Sequence, residues 1–292
     1  MMLRASIDIL VDLDQRNTSP AHLGTRRYSL IQINADGSFD ALNRRLNVMV
    51  TLMPMDEPIL DIARDALRSD PRIRYQPDTV RLEIADGVLT VEGEVATVAA
   101  KKLALERLAA VPNVAWVVDR LRVCPSVPME DGEIRDRVRD ALLGEPALST
   151  CALRQWLKGQ PEMIRRPPGG LGLIDLKVEH GVVTLDGDVP GLAHKRLAGL
   201  LAWWVPGTRD VVNGLGVTPP EGDSDEEITD AVRIALEKDP FVNPDQIRVG
   251  ARNAVVTLAG AVPTGSEREM AEFDAWCIFG VNDVINRIAV HA

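Results

Sequence analysis

Aromatic residues are scarce in this chain of 292 residues, of which phenylalanine, tryptophan and tyrosine together make up 4%. We therefore expect small, aliphatic cores. Cysteine is also rare. Its three copies, Cys124, Cys151 and Cys277, form no CxxC pair, and their odd number excludes a complete disulfide framework within one chain. We expect buried or incidental thiols and a reducing compartment.

The sequence also lacks long apolar runs. No stretch approaches the roughly 18 to 20 residues that a membrane-spanning helix needs. Residues 1–14 do not resemble a signal peptide, because Asp8, Asp12 and Asp14 interrupt the apolar positions. We expect a cytoplasmic protein, with peripheral membrane association as the alternative. The net charge of −10 argues against nucleic acid as a partner, since duplex DNA repels an acidic surface.

Residues with catalytic or metal-binding potential are few and scattered. The four histidines show no ligand spacing; they are His22, His180, His194 and His291. Asp61 and Asp65 share a helix face with Arg64 and Arg68, which predicts a solvated charged face rather than an acid–base pair. The glycines of residues 169–172 follow prolines rather than a strand, so they are not a phosphate loop. The sequence predicts no catalytic residue, metal or cofactor, and hence no enzyme.

One pattern occurs three times along the chain. The motif Gly-Val-x-Thr-h-x-Gly-x-Val, in which h is an apolar residue, occupies residues 87–95 and 181–189. Residues 254–262 repeat it more loosely. In each copy the threonine precedes a valine by the same distance: 90 to 123, 184 to 217 and 257 to 290. A period of this length indicates an array of small modules.

Each repeat predicts the element order α-β-β-α-β. Apolar residues at i, i+4, i+7 and i+8 give a first helix, which ends before a proline; the prolines are Pro71, Pro146 and Pro240. Two alternating strands follow, joined by a hairpin that Asp86-Gly87 predicts strongly, His180-Gly181 less so and Asn253-Ala254 least. A second helix and a final strand complete the unit, and that strand is expected to pair beside an earlier one through a helical crossover.

Glycines mark two places in the repeat. Gly87 and Gly181 stand in the predicted hairpin turns. Gly93, Gly187 and Gly260 lie inside the second strand, where we expect a bulge or a close helix crossing.

The predicted fold class is α+β, with three tandem two-layer α-β-β-α-β sandwiches. We place a β-rich arm at 1–55 and the repeats at 57–123, 131–217 and 224–290, the second of them with an insertion at 147–170. The linker 218–227 carries five acidic residues and separates the last two repeats.

The repeat resembles the BON domain, a bacterial module. The resemblance rests on the Gly-Val-x-Thr strands and on the run from Val111 to Val123 with its counterparts ending at Val217 and Val290. It implies a non-enzymatic scaffold or envelope module that is associated with phospholipid binding, osmotic stress response and attachment to larger assemblies. The absence of an export signal and the presence of the arm and the insertion depart from the bare module.

The insertion at 147–170 holds the candidate contact residues. Its basic and aromatic side chains suit either an anionic lipid headgroup or an acidic protein partner; they are Arg154, Trp156, Lys158, Arg165 and Arg166. The third interpretation, which we favour, is a solvated loop whose Trp156 packs on its own domain.

The arm predicts three strands, at residues 7–13, 28–33 and 46–52, with a turn at Asp36-Gly37. They add to a neighbouring subunit or pack on repeat 1; the sequence favours neither. We expect an assembly scaffold whose partner is another protein or a second copy of itself. A phospholipid-binding protein is the alternative.

Overall fold

The computed structural model describes residues 9–12, 30–32 and 56–291. The chain divides into two compact units, Met1–Arg122 and Val123–Ala292. The described residues follow the predicted order of helices and strands in all three repeats, which confirms the α+β class.

The first unit holds repeat 1 on a five-stranded sheet. Its elements are β1 (Ile9–Asp12), β2 (Leu30–Gln32), α1 (Asp56–Arg68), β3 (Val80–Ala85), β4 (Val88–Val95), α2 (Val98–Ala109) and β5 (Trp116–Val123). The strand order is β2-β1-β5-β4-β3. Leu89 and Val91 of β4 are fully buried, as the alternation predicts. Thr97 caps α2 by accepting the Ala100 N–H.

The second unit holds repeats 2 and 3. Repeat 2 comprises α3 (Asp131–Gly144), a 3₁₀ turn (Pro146–Leu148), β6 (Cys151–Leu157), β7 (Gln160–Arg165), β8 (Gly172–Glu179), β9 (Val182–Val189), α4 (Leu192–Trp203), β10 (Asp210–Asn213) and β11 (Gly216–Val217). Its sheet has the order β10-β9-β8-β6-β7, and β11 also pairs with β9.

Repeat 3 comprises α5 (Asp225–Lys238), a 3₁₀ turn (Pro244–Gln246), β12 (Ile247–Arg252), β13 (Val255–Val262), α6 (Gly265–Cys277) and β14 (Asp283–Val290). Its three-stranded sheet has the order β12-β13-β14, with β13 antiparallel to β12 and parallel to β14. The parallel pair is the expected product of a helical crossover, here through α6.

All three hairpins adopt the same turn, including the two that the sequence predicts weakly. Both central residues have positive φ: 51° and 76° at Asp86-Gly87, 54° and 76° at His180-Gly181, and 53° and 59° at Asn253-Ala254. In repeats 2 and 3, an aspartate at the start of the first helix of the repeat holds the turn and compensates for its weaker turn sequence. Asp131 accepts the backbone N–H groups of His180 and Gly181 at 2.8 and 2.7 Å, and Asp225 holds the third turn in the same way.

The strand glycines allow close approach of a neighbouring strand, not of a helix. A Cβ atom on Gly93 would lie 1.9 Å from the carbonyl oxygen of Thr79, and one on Gly260 would lie 1.9 Å from that of Gln246. Gly187 meets Leu173 O at 2.3 Å in the same way. Gly93 and Gly260 form the last pair of their ladders, and one further pair follows Gly187. None of these ladders contains a register shift and the nearest atoms belong to the preceding strand segment, so the expectation of a bulge or a helix crossing is wrong.

Two further expectations need correction. The insertion is not a solvated loop: β6 and β7 form a hairpin, and β6 pairs in parallel with β8, which enlarges the sheet of repeat 2. The last strand of repeat 2 is also not continuous. It is interrupted at 214–215, although the Gly214 N–H still donates to the carbonyl oxygen of Leu185 on β9 at 2.8 Å and β11 resumes the register of β10.

The arm places two of its three predicted strands on the sheet of repeat 1. β1 pairs antiparallel with β5 from Ile9↔Asp119 to Asp12↔Trp116, and β2 pairs with the other side of β1. This is the alternative in which the arm packs on its own repeat. The predicted strand at 46–52 and the turn at Asp36-Gly37 lie outside the described residues.

Candidate interaction surfaces

The hairpin of β6 and β7, which we call the insert hairpin, ends in an exposed and partly apolar tip. Its turn, at Lys158 and Gly159, has φ angles of 50° and 77°. Trp156, Leu157 and Met163 remain 36–39% exposed around this turn. Large apolar side chains that stay exposed together indicate a contact surface.

The structure separates the five predicted contact residues into two groups. Arg154 donates two hydrogen bonds to the Asp175 carboxylate on the adjacent strand. Arg165 donates to the carbonyl oxygens of Leu143, Leu148 and Cys151, at 3.3, 2.7 and 3.1 Å. These two arginines fix the insert hairpin to its repeat, so they are not available for a partner.

The other three predicted residues lie on the surface. Trp156 and Lys158 belong to the tip, and Arg166 follows the end of β7; all three are exposed. Their contact role stays a prediction.

We expect Arg165→Ala to lower the free energy of unfolding by about 1–2 kcal/mol, because three carbonyl groups lose their donor at once. Arg166→Ala is the matched control, since Arg166 is exposed, and it should change stability by less than about 0.5 kcal/mol. Urea titration followed by circular dichroism measures both values. Equal effects of the two substitutions would contradict the anchoring role of Arg165.

Repeats 2 and 3 contact one another through α4, which packs on α5 and α6. Arg196 on α4 is 2% exposed. Its guanidinium donates to the carbonyl oxygen of Phe279 at 3.0 Å and to the Asp223 carboxylate. Lys195 places its ammonium 4.4 Å from the centre of the Phe279 ring. Burial lowers the pKa of Lys195. The buried charge of Arg196 is thus matched by a carboxylate of the linker and a carbonyl group of repeat 3.

Two more polar bridges join these repeats. Lys238 of α5 donates to the Glu145 carboxylate at 2.8 Å. The indole N–H of Trp204 donates to Oδ1 of Asp274 at 2.8 Å. The acidic linker between the repeats also forms defined contacts, because Glu221 accepts the Leu192 N–H at the start of α4. It therefore ties the repeats together rather than merely separating them.

Asp274 is fully buried beside a second carboxyl group, that of Asp239. Burial raises the pKa of Asp274 to about 8; the Trp204 hydrogen bond opposes this rise and the nearby Asp239 adds to it. In repeat 1 the equivalent pair is Asp70 and Arg107, joined at 3.2 Å. The hydrogen bond from Arg72 is the largest cause that lowers the pKa of Asp70, to about 2.

A groove of about 590 Å³ lies between α4 and α5. Leu197, Leu200 and Ile234 supply apolar walls, and His194 and Asp230 are among its polar lining residues. All of these belong to the two repeats that Arg196 joins, so the shape of the groove depends on their interface.

The acid–base candidates of the sequence form ordinary surface pairs. Arg64 bonds Asp61 at 2.8 Å, and Arg68 bonds Asp65 at 2.9 Å. Across the residues that the structure describes, no group of three or more histidine, cysteine, aspartate or glutamate side chains is placed to hold a metal ion. Cys151 and Cys277 are buried and Cys124 is exposed. None of the described helices has the length and apolar character to cross a membrane.

The BON domain family model matches residues 56–125, 172–219 and 224–292. A comparison with curated proteins gives no match. Two structures of CdsD, a structural protein of the type III secretion system of Chlamydia trachomatis, align with 80% of this chain at 15% identity. One is described as the C-terminal domain; the alignments cover 98% and 92% of the two chains. The TM-score is 0.21 in both cases, too low to carry an argument.

Proposed function

Because the chain belongs to the BON domain family, we propose that it is a non-enzymatic assembly scaffold that binds another protein or a second copy of itself. The observation that carries the proposal is the contact between repeats 2 and 3. Within it, Arg196 and Trp204 of one repeat bond specific groups of the next. A module that docks on its own kind within one chain is suited to docking between chains. We place this scaffold in the cytoplasm.

The distribution of charged groups supports this proposal over an enzyme. Arg196, Lys101 and Asp119 are the kind of buried charged groups from which active sites are built. Here each is engaged internally: Lys101 bonds the Asp119 carboxylate at 2.8 Å, and Arg196 bonds Asp223. Among the described residues the exposed apolar groups, such as Trp156 and Phe241, lie on the outer surface, where a partner can reach them.

Size-exclusion chromatography with light scattering tests self-association on the full chain. We expect the mass to rise above that of a monomer as the concentration increases through the micromolar range. For a partner other than itself, immobilised chain is exposed to an extract and bound proteins are identified, with Trp156→Ala as the surface variant. A chain that stays monomeric and retains nothing specifically contradicts the scaffold proposal.

The tip of the insert hairpin favours a second candidate, binding to anionic phospholipid. Trp156 and Leu157 are exposed next to Lys158, and an indole beside a cation suits a headgroup interface. Each basic residue contributes about 1 kcal/mol at such a surface, so few cations give weak binding.

Co-sedimentation with phosphatidylglycerol vesicles tests the lipid candidate. Lys158→Glu with Arg166→Glu should abolish pelleting, whereas Arg248→Glu on the exposed side of β12 should leave it unchanged. Arg165 is left intact because it anchors the hairpin. Vesicles that pellet no wild-type protein would exclude this candidate.

A further inference from the structure

The last strand of each repeat has one edge that faces away from the rest of its sheet. The three repeats differ in whether another strand pairs with this edge. In repeat 1 this edge is occupied, since β1 pairs with β5. In repeat 3 the strand β14 ends its sheet, with no further strand beside it in the described part of the chain. In repeat 2 the strand β10 also ends its sheet, but the carbonyl oxygen of Arg209, just before it, already accepts the Val123 N–H at 2.8 Å. An uncovered edge presents backbone groups that another strand can pair with.

An aspartate at the first position of the strand satisfies one of these backbone groups locally. Asp283 accepts the Val284 N–H at 2.7 Å, and Asp210 accepts the Val211 N–H at 2.9 Å. The residue at the equivalent position of β5 is Trp116, which has no carboxylate to offer to the Val117 N–H. A side chain that bonds its own backbone competes with an incoming strand for the same donor.

Similar side-chain hydrogen bonds occur further along these strands. Asp119 of β5 accepts the Leu121 N–H at 2.9 Å, as Asn286 of β14 accepts the Ile288 N–H at 3.1 Å. Within the described residues β1 pairs with β5 from Trp116 to Asp119, so Val117 lies inside the paired stretch.

We infer that the first residue of the last strand decides which repeat accepts an additional strand: Trp116 opens β5, and Asp210 and Asp283 close β10 and β14. The occupant that fits the open edge is the extended segment Ile9–Asp12 of this chain, from the same copy or, when a second edge is opened, from a second copy. This deepens the scaffold proposal by naming a docking edge and rests on it for the role of that edge.

Opening the edge of β14 tests the inference. We expect Asp283→Ala, in the full chain, to gain a concentration-dependent oligomer, because Ile9–Asp12 of one copy can then exchange its own β5 for β14 of the next. Asp283→Asn retains an acceptor oxygen and should behave as the wild type does. Adding Val11→Pro to Asp283→Ala removes a strand N–H and should abolish the new oligomer. Light scattering reports the mass, and each variant is compared with the wild type, so self-association of the wild type does not enter the result.

Closing the edge of β5 gives the reciprocal test. Trp116→Asp should release β1, and amide hydrogen exchange at residues 9–12 should become about tenfold faster or more. Trp116→Phe, which offers no carboxylate, should keep the wild-type rate. An Asp283→Ala protein that folds and keeps the wild-type mass at every concentration, or equal exchange in both Trp116 variants, would overturn the inference. Oligomers that persist with Val11→Pro would overturn the choice of occupant.

Discussion

Replacing Arg196 by methionine should lower the free energy of unfolding of the unit that contains repeats 2 and 3 by about 2–3 kcal/mol. Methionine keeps an apolar stem in the buried position and removes the guanidinium with its charge and its donors. The Phe279 carbonyl and the Asp223 carboxylate then lose their donor. Asp223 is only partly buried and regains some water, which keeps the expected loss below that of a fully buried ion pair.

The matched control is Arg233→Met, because Arg233 pairs with Asp230 while both side chains are largely exposed. Exposed pairs contribute little, so we expect a change below about 0.5 kcal/mol. Denaturant titration gives both values, and calorimetry shows whether repeats 2 and 3 still unfold in a single transition. Similar losses for the two substitutions would mean that Arg196 does not hold the repeats together.

The repeat itself could be predicted because its signals are local. Helix periodicity, the proline after each first helix and the constant threonine-to-valine distance place the helices and strands near their actual bounds. The strongest hairpin, at Asp86-Gly87, follows from turn chemistry alone. The turn at Asn253-Ala254 depends on Asp225, which is remote in sequence. The turn residues alone therefore underestimate its propensity to form a hairpin.

The insert hairpin could not be predicted in this way, because its core-facing positions are not uniformly apolar. Cys151, Leu153 and Gln155 alternate inward on β6, but Gln155 is a buried amide, whose nitrogen donates to Glu162. Pro161 further hides β7, since proline is confined to edge strands and bulges. The three hydrogen bonds of Arg165 then anchor a segment whose composition is typical of a loop.

The polar contacts between repeats 2 and 3 join residues that are far apart in sequence. Aligning the three repeats nevertheless reveals one of the positions involved. Seventeen residues after the shared threonine stand Arg107 in repeat 1, Leu201 in repeat 2 and Asp274 in repeat 3. The acid that precedes the helix-ending proline faces this position in repeats 1 and 3, as Asp70 and Asp239. An ion pair in one repeat has become a pair of carboxyl groups in another.

These two pairs should affect stability in opposite directions as the pH changes. Asp70 is ionised more easily in the folded chain than its ordinary value of 3.8 allows, so its contribution is present above about pH 4 and is lost as the pH falls towards 2. Asp274 has a raised pKa, and from about pH 4 to pH 8 the folded chain holds a proton that the unfolded chain has released. Its contribution therefore falls as the pH rises through that range.

We expect Asp274→Asn to match the wild type near pH 5 and to be more stable by about 2–4 kcal/mol near pH 9. The shift of the Asp274 pKa from 3.8 to about 8 sets an upper limit of about 6 kcal/mol, at about 1.4 kcal/mol per pH unit. Asparagine keeps an oxygen to accept the Trp204 N–H and offers an amide N–H to Asp239, much as the protonated acid does.

The pH dependence of unfolding separates this explanation from a general effect of charge. Denaturant titrations from pH 5 to pH 9 should show a decline in the wild type that is largely absent from Asp274→Asn. Asp245→Asn removes the same charge from an exposed site of repeat 3 and should keep the wild-type decline. If Asp274→Asn declined as steeply as the wild type, the proton would not reside on Asp274, and the decline would have another origin.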